Sequence, residues 1–134
     1  MIDVEIDIFD KVARKVLEQF PDAYVASEHV LQPSSFPCVV IEEVSNIEDV
    51  NTRDSSMIEN VSILVYNVNV YSNKPDEQKQ ECKSIIQIVD DELRKCNMNR
   101  VFYGAIDNVQ DPTIYRVIAR YTGRVDYNNN LYWR

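Results

Sequence analysis

Cysteine and histidine are the side chains in this sequence best suited to metal binding or nucleophilic catalysis. The chain has three cysteines, Cys38, Cys82 and Cys96, and a single histidine, His29. A zinc site needs ligands in close pairs such as C-x-x-C, and that spacing does not occur. A catalytic pair of Cys38 with His29 has no supporting local motif. We therefore predict small buried thiols and a solvated loop histidine, with no metal site.

Carboxylates are abundant, and adjacent pairs occur at Glu42-Glu43, Glu48-Asp49 and Asp90-Asp91. Neighbouring acids point to opposite faces of a strand and to different sides of a helix, so no pair converges on one point. We interpret these pairs as solvated surface groups. The sequence also lacks the G-x-S-x-G elbow that presents a nucleophilic serine.

Glycine is scarce: the sequence contains Gly104 and Gly123, and each stands alone. Phosphate-binding loops need clustered glycines so that backbone N–H groups can approach the ligand. The dinucleotide-binding fingerprint and the P-loop are therefore excluded. Together with the absent catalytic motifs, this predicts a protein that is not an enzyme and uses no cofactor.

Length and composition indicate one folded domain spanning residues 1–134. The chain has 134 residues, a net charge of −8 and 45% hydrophobic residues. This apolar fraction is too high for intrinsic disorder, and no apolar run reaches the length of a membrane span. The first residues lack the basic segment of a signal peptide, and the odd number of cysteines predicts reduced thiols in the cytosol.

Periodicity predicts two helices and several strands. Helical spacing runs through residues 2–20, with an apolar stripe of Ile2, Ile6, Phe9, Ala13, Val16, Leu17 and Phe20. A second helix is predicted to start at residues 73–76, with Asn73 as the cap, and to run to about Lys95. Strands are predicted at residues 23–31, 38–44, 58–72, 100–107 and 113–127, with a short final strand after an Asn-rich turn at 128–130. This order predicts an α+β fold: one mainly antiparallel β-sheet with two amphipathic helices packed on one face.

The strand predicted at residues 58–72 carries apolar side chains on both faces. Tyr66, Val68 and Val70 share one face, and Ile63 and Val65 share the other. Such a strand is either central and covered on both sides or interrupted by a bulge. A second copy of the protein is one possible source of the second layer. The polar stretch before this strand, at residues 45–57, is predicted to be a loop, and loops of that length are often functional.

Charge is unevenly distributed along the chain. Arg116, Arg120 and Arg124 fall on one face of the strand predicted at residues 113–127. The N-terminal segment is acidic, with Asp3, Glu5 and Asp7. Three interpretations of the arginine face remain open: pairing with acids of the same chain, contact with an acidic surface of another subunit, or contact with nucleic-acid phosphates. The net charge of −8 argues against binding of free nucleic acid.

The order of elements resembles the small tail-completion, or tail-terminator, proteins of long-tailed bacteriophages and prophages, which are related to minor structural and head–tail joining proteins. The resemblance spans almost the whole chain. It rests on the helix ending in Phe20-Pro21, FPCVVIEE at residues 36–43, VSILVYNVNVYSNK at 61–74, and IARYTGRVD at 118–126 followed by LYWR. It is a resemblance of layout and carries no catalytic residues.

The resemblance implies a non-enzymatic virion protein. Such proteins form a hexameric ring that ends the tail tube and faces the head connector, with genome DNA passing through. The expected partners are copies of the chain, the tail-tube protein and the head-connector protein, and contact with the passing DNA is non-specific. The expected location is the head–tail interface of the virion, and the host cytoplasm during assembly, with no membrane. The alternative is a small cytosolic ligand-binding or regulatory α+β domain, as a monomer or a dimer, which needs a preformed apolar pocket.

Candidate interface residues follow from the acidic N-terminus, the loop at 45–57, the doubly apolar strand, the arginine face and the aromatic C-terminus, since Tyr and Trp are enriched at interfaces. They are Asp3, Glu5, Asp7, Glu48, Asp49, Arg53, Tyr66, Val68, Val70, Arg116, Arg120, Arg124, Tyr132 and Trp133.

Overall fold

The computed structural model describes residues 1–30, 33–52, 54, 60–107, 111–126 and 131–132, which form two helices and six strands. In chain order these are α1 (Glu5–Gln19), β1 (Tyr24–Ala26), β2 (Cys38–Glu48), β3 (Val61–Ser72), α2 (Gln78–Lys95), β4 (Asn99–Ile106), β5 (Tyr115–Asp126) and β6 (Leu131–Tyr132). A short 3-10 helix, Val50–Thr52, follows β2.

All described strands belong to one sheet with the order β1-β2-β3-β5-β4, and β6 pairs with the end of β5. The pairing of β1 with β2 is parallel, and every other pairing is antiparallel. Both helices pack against this sheet. The predicted α+β class, with one mainly antiparallel sheet and two helices, is confirmed.

The two helices cover one face of the sheet, which we call the inner face. It contributes Leu64, Tyr66, Val68 and Val70 from β3 and Val117, Ala119, Tyr121 and Val125 from β5 to the main core. The opposite face, which we call the open face, carries the alternate residues of the same strands, among them Asn67, Asn69, Arg116 and Arg120. The strict alternation predicted for β5 is confirmed, because side chains of consecutive strand residues point to opposite faces.

The predicted apolar stripe of the first helical segment is confirmed in part, since Ile2, Ala13 and Val16 are buried and Phe9 and Phe20 pack against the core. The buried residues of α1 are Ile8, Val12, Ala13 and Val16, whereas Ile6 is 74% exposed and Leu17 is 39% exposed. Two adjacent apolar rows run along this segment, and either satisfies helical spacing. The row that contacts α2 is the one that is buried, and the sequence of α1 alone does not show which row that is.

β2 is longer than predicted because of a bulge. The register with β3 shifts between Glu43 and Ser45, and the extra residue, Val44, breaks the alternation that sequence reading follows. Residues 45–48 therefore form strand although they were predicted to be loop. Residues 53 and 55–59 of the predicted loop lie outside the described residues, as does the predicted turn at 128–130.

α2 begins later than predicted. Its first residue is Gln78, its N-cap is Glu77, and no side chain caps it by a hydrogen bond. The predicted cap at Asn73 is wrong, because Asp76 adopts a positive φ of 64° and ends a turn before the helix starts. Within the described residues, no helix is long and apolar enough to cross a bilayer.

β3 lies in the middle of the sheet, between β2 and β5, which explains its apolar residues on both faces. At one end of the open face, the chain covers β3 itself. Tyr71 packs there with Cys38 and Val40 of β2 in a second buried cluster, which Val30, Phe36 and Ile114 flank. At this end, the chain itself covers the second apolar face of β3, and no second copy of the protein is needed to cover it.

Candidate functional site

The open face of β5 presents two arginines held by uncharged partners. Arg116 donates from Nε and Nη2 to Asn69 Oδ1 at 3.1 and 2.8 Å, and its guanidinium lies 5.3 Å from the centre of the Tyr71 ring. Arg120 is exposed and donates from Nε to Asn67 Oδ1 at 3.0 Å. Because amide oxygens orient a guanidinium without neutralising it, this face keeps positive charge available to an acidic surface.

The third predicted arginine is paired within the chain. Arg124 forms an ion pair with Asp49, whose side chain is 6% exposed. Asp49 Oδ1 also accepts a hydrogen bond from the backbone N–H of Asn51 at 3.1 Å. Both residues were predicted to contact another subunit. The structure instead brings them together, so they fix the end of β2 against β5, as the first interpretation of the arginine face proposed.

The prediction that Tyr66, Val68 and Val70 lie in an interface needs correction. All three are 0% exposed in the core beneath the helices, and so they have no surface to offer a partner. Their face of β3 is the inner face, which α1 and α2 of the same chain cover.

The acidic N-terminus meets β2 rather than the arginine face. Carboxylate oxygens of Asp3, Glu5 and Glu43 all lie within 4.8 Å of one another, at the edge of the inner face. The Tyr66 hydroxyl donates to Glu43 Oε1 at 2.9 Å. Burial raises the pKa of Glu43, the charges of Glu5 and Asp3 raise it further, and the hydrogen bond from Tyr66 opposes both effects.

Three carboxylates in this arrangement are ligands of the kind that divalent cations use. Exposed acidic groups of this kind are also common in proteins without any ion. Asp7, by contrast, lies exposed on α1 outside this cluster. What the cluster does establish is a concentration of negative charge beside β2.

β4 is a strand at the edge of the sheet with an unusual excess of exposed apolar surface. Val101, Phe102, Tyr103 and Ile106 are 55%, 53%, 41% and 37% exposed, respectively. Natural edge strands are usually protected from association by lysine, proline or a covering element. β4 has no lysine or proline, and its one charged residue is Arg100. Sequence reading identified the strand but not this surface, although its apolar residues on both faces were a usable signal.

A buried carboxylate joins α2, β4 and β5 behind this edge. Asp90 accepts hydrogen bonds from Arg94 Nε at 2.8 Å, Arg100 Nη1 at 2.8 Å and the Tyr121 hydroxyl at 2.9 Å. Burial by itself raises the pKa of Asp90, but these three donors outweigh it and the pKa is lowered. The sequence interpretation of Asp90 as a solvated surface acid is wrong, because a helix position alone does not reveal a donor on a neighbouring strand.

The remaining predicted residues are dispersed. Glu48 is half-buried at the end of β2. The backbone of Tyr132 belongs to β6, while Arg53 and Trp133 lie outside the described residues.

The three cysteines are buried and free, as predicted, and His29 is exposed. Burial raises the pKa of Cys38 to about 11 and that of Cys82 to about 12, which suppresses their reactivity.

A groove of about 430 Å³ lies between α1 and β1 and is open to solvent. It is lined by Phe9 of α1 and by residues 24–30, among them Glu28 and His29. Most of the lining therefore comes from a single stretch of chain, without the convergence of several elements that is typical of a ligand pocket.

No protein-family model matches this chain, and no curated protein matches it in sequence.

Proposed function

We propose that this chain is a structural virion protein of a long-tailed phage or prophage, which forms a ring that terminates the tail tube and joins tail to head. It acts at the head–tail interface and assembles in the host cytoplasm. One observation carries the proposal: β4 is an edge strand with four exposed apolar side chains. A surface of this kind is typical of a protein that functions in association with other chains.

The energy of such a contact supports the proposal. Burying a large apolar side chain completely stabilises by about 1.5–3 kcal/mol, so the four half-exposed side chains of β4 contribute several kcal/mol when a partner covers them. The unpaired backbone groups of an edge strand add directional hydrogen bonds. Assembly through β4 therefore needs no catalytic centre and no cofactor.

The arginines of the open face suit a second contact in the same role. Arg116 and Arg120 carry charge that their amide partners do not neutralise. In a ring at the head–tail joint, such a face can meet an acidic surface of the tail-tube or connector protein, or tolerate the phosphates of passing DNA.

The alternative, a ligand-binding or regulatory domain, has weaker support. The groove between α1 and β1 has the volume of a small-molecule site, but it is open and is formed mainly by residues 24–30. The exposed β4 edge has no role in the ligand binding of that alternative and serves it only as a dimer contact.

Electron microscopy of the purified chain with tail tubes tests the proposal. We expect rings that cap one end of each tube, and we expect Phe102→Asp to prevent capping. Leu17→Asp, which places the same charge at an exposed apolar site of α1, is the matched control and should cap normally. A wild-type chain that neither forms rings nor binds tube ends would refute the proposed function.

A further inference from the structure

We propose that the subunit contact is a continuation of the sheet from one copy to the next, in which β4 of one copy pairs with the outer edge of β2 in its neighbour. This inference rests on the proposed function in that it assumes assembly of many copies. It adds the two surfaces that meet and the direction in which they meet.

Each of the two edges has a stretch of strand that no other described strand covers. β1 pairs with β2 at residues 38–40 alone, so within the described chain no strand covers residues 41–47 of β2 on that side. β4, at the opposite edge, comprises the eight residues Asn99–Ile106. Apolar side chains lie at both edges, with Val44 and Ile47 of β2 being 43% and 59% exposed. Each edge therefore offers backbone hydrogen bonds and apolar contact.

Charge is opposite at the two edges on the inner face. A single row of directly opposed residues crosses the four strands there, from Glu43 of β2 through Tyr66 and Tyr121 to Arg100 of β4. The Asp3 and Glu5 carboxylates lie beside Glu43, and Arg94 lies beside Arg100 on Asp90. When the sheet continues in register, Arg100 meets Glu43 of the next copy.

On the open face, the adjacent row of opposed residues also has an acid on β2 and an arginine towards β4. This row runs from Glu42 of β2 through Asn67 and Arg120 to Phe102 of β4. Strands lie about 4.8 Å apart, so Arg120 and Glu42 of adjoining copies would be about two strand spacings apart, within the range of electrostatic interaction. Both faces therefore have an acidic β2 edge and a basic β4 side.

This polarity selects a head-to-tail contact over a two-fold one. Pairing β4 with a second β4 brings two basic edges together, and pairing β2 with a second β2 brings two acidic edges together, which costs free energy. β2 and β4 also run in opposite directions, because three antiparallel pairings separate them. A neighbour with the same orientation can thus pair antiparallel. Head-to-tail contacts produce rings when they close.

Cross-linking of mixed single-cysteine variants tests which edges meet. Val44→Cys and Phe102→Cys place a thiol on each edge, and the native cysteines are buried. With a short bismaleimide, we expect the mixture to give cross-linked dimers and each variant alone to give mainly monomer. Dimers of Phe102→Cys alone would indicate β4 pairing with β4 and would overturn the inference. The wild-type chain, which should not cross-link, is the control.

Charge reversal provides an independent test in solution. We expect Arg120→Glu and Glu42→Arg each to weaken self-association about tenfold or more, measured by sedimentation. An equimolar mixture of the two should recover wild-type association, because every head-to-tail contact then joins unlike charges. Arg14→Glu, on the exposed surface of α1, is the matched control and should leave association unchanged.

The outcomes separate this inference from the proposed function. If wild-type rings cap tail tubes but the mixture shows no recovery and no cross-link, the edge contact is wrong while the function stands. If the wild-type chain stays monomeric in solution at the highest attainable concentration, the inference is also overturned, and capping of tail tubes then decides the function separately. Recovery in the mixture together with the mixed cross-link supports the contact even when tubes are not capped.

Discussion

Replacement of Asp90 by asparagine is expected to lower the free energy of unfolding by about 2 kcal/mol. The change keeps the shape of the side chain and removes its charge. The hydroxyl of the fully buried Tyr121 loses a carboxylate acceptor, which costs about 1–2 kcal/mol. The ion pair with Arg100, whose side chain is 39% exposed, contributes about 0.5–1 kcal/mol after screening by solvent.

Equilibrium unfolding in urea measures this change, with Asp91→Asn as the matched control. Asp91 is the exposed neighbour on α2, and its replacement changes the net charge equally, with an expected effect below about 0.5 kcal/mol. Tyr121→Phe removes the buried hydroxyl alone. In that background, Asp90→Asn should cost about 1 kcal/mol less, because the shared hydrogen bond is already lost. Equal unfolding free energies for the Asp90 and Asp91 variants would refute the reasoning.

The dependence on pH follows from the lowered pKa of Asp90. The unfolded chain has the ordinary value of 3.8, and the folded chain a lower one. Above the unfolded-state value, the carboxylate contributes its full stabilisation, and this is lost as the pH falls through the folded-state pKa. The difference between the wild-type chain and Asp90→Asn should therefore be constant near neutral pH and shrink in acid.

Three further predictions concern the core and the acidic edge. Gly123→Ala should lower the free energy of unfolding in urea by about 1–2 kcal/mol, because its Cβ would lie 3.0 Å from Met98 Cγ in the core. Gly104→Ala is the control and should cost little, because its Cβ meets the exposed ring of Phe102. Equal effects of the two substitutions would contradict this prediction. Glu43→Gln should be more stable than the wild-type chain at neutral pH, because the raised pKa of Glu43 shows that its charge is unfavourable in the folded state. The difference in unfolding free energy should shrink as the pH falls through that pKa. A difference that grows in acid would contradict this prediction. Ellman's reagent should leave the native thiols unmodified and react with all three after denaturation, and rapid native labelling would contradict the burial of Cys38, Cys82 and Cys96.

Where the sequence pattern was strict, it predicted the fold correctly. In β5, Val117, Ala119 and Tyr121 alternate with arginine and isoleucine, and the structure buries the first set and leaves the second on the open face. Where the pattern admitted two solutions, it failed. α1 offers two neighbouring apolar rows, so Ile6 and Leu17 were wrongly assigned to its buried face, although Ala13 and Val16 were assigned correctly. β2 loses its alternation at the Val44 bulge, so its end was wrongly assigned to a loop.

The candidate site was less accessible to sequence reading, because it depends on residues that are distant along the chain. Asp49 and Arg124 were both predicted to contact another subunit, but they are partners in one ion pair. Tyr66 was assigned to an interface because its strand is apolar on both faces, and sequence does not reveal which face the helices cover. The exposed edge of β4 became visible only once its position at the end of the sheet was known.

The sequence by itself determined the fold class, α+β, together with the buried thiols and the arginines of β5, because periodicity and composition are local properties that survive without tertiary contacts. It also set the expectation of a protein without phosphate-binding glycine loops. Only the tertiary structure decided which charges are already paired and which strands lie at the edges. Those properties depend on the order of strands, and through that order Glu43 and Arg100 come to lie at opposite ends of one row.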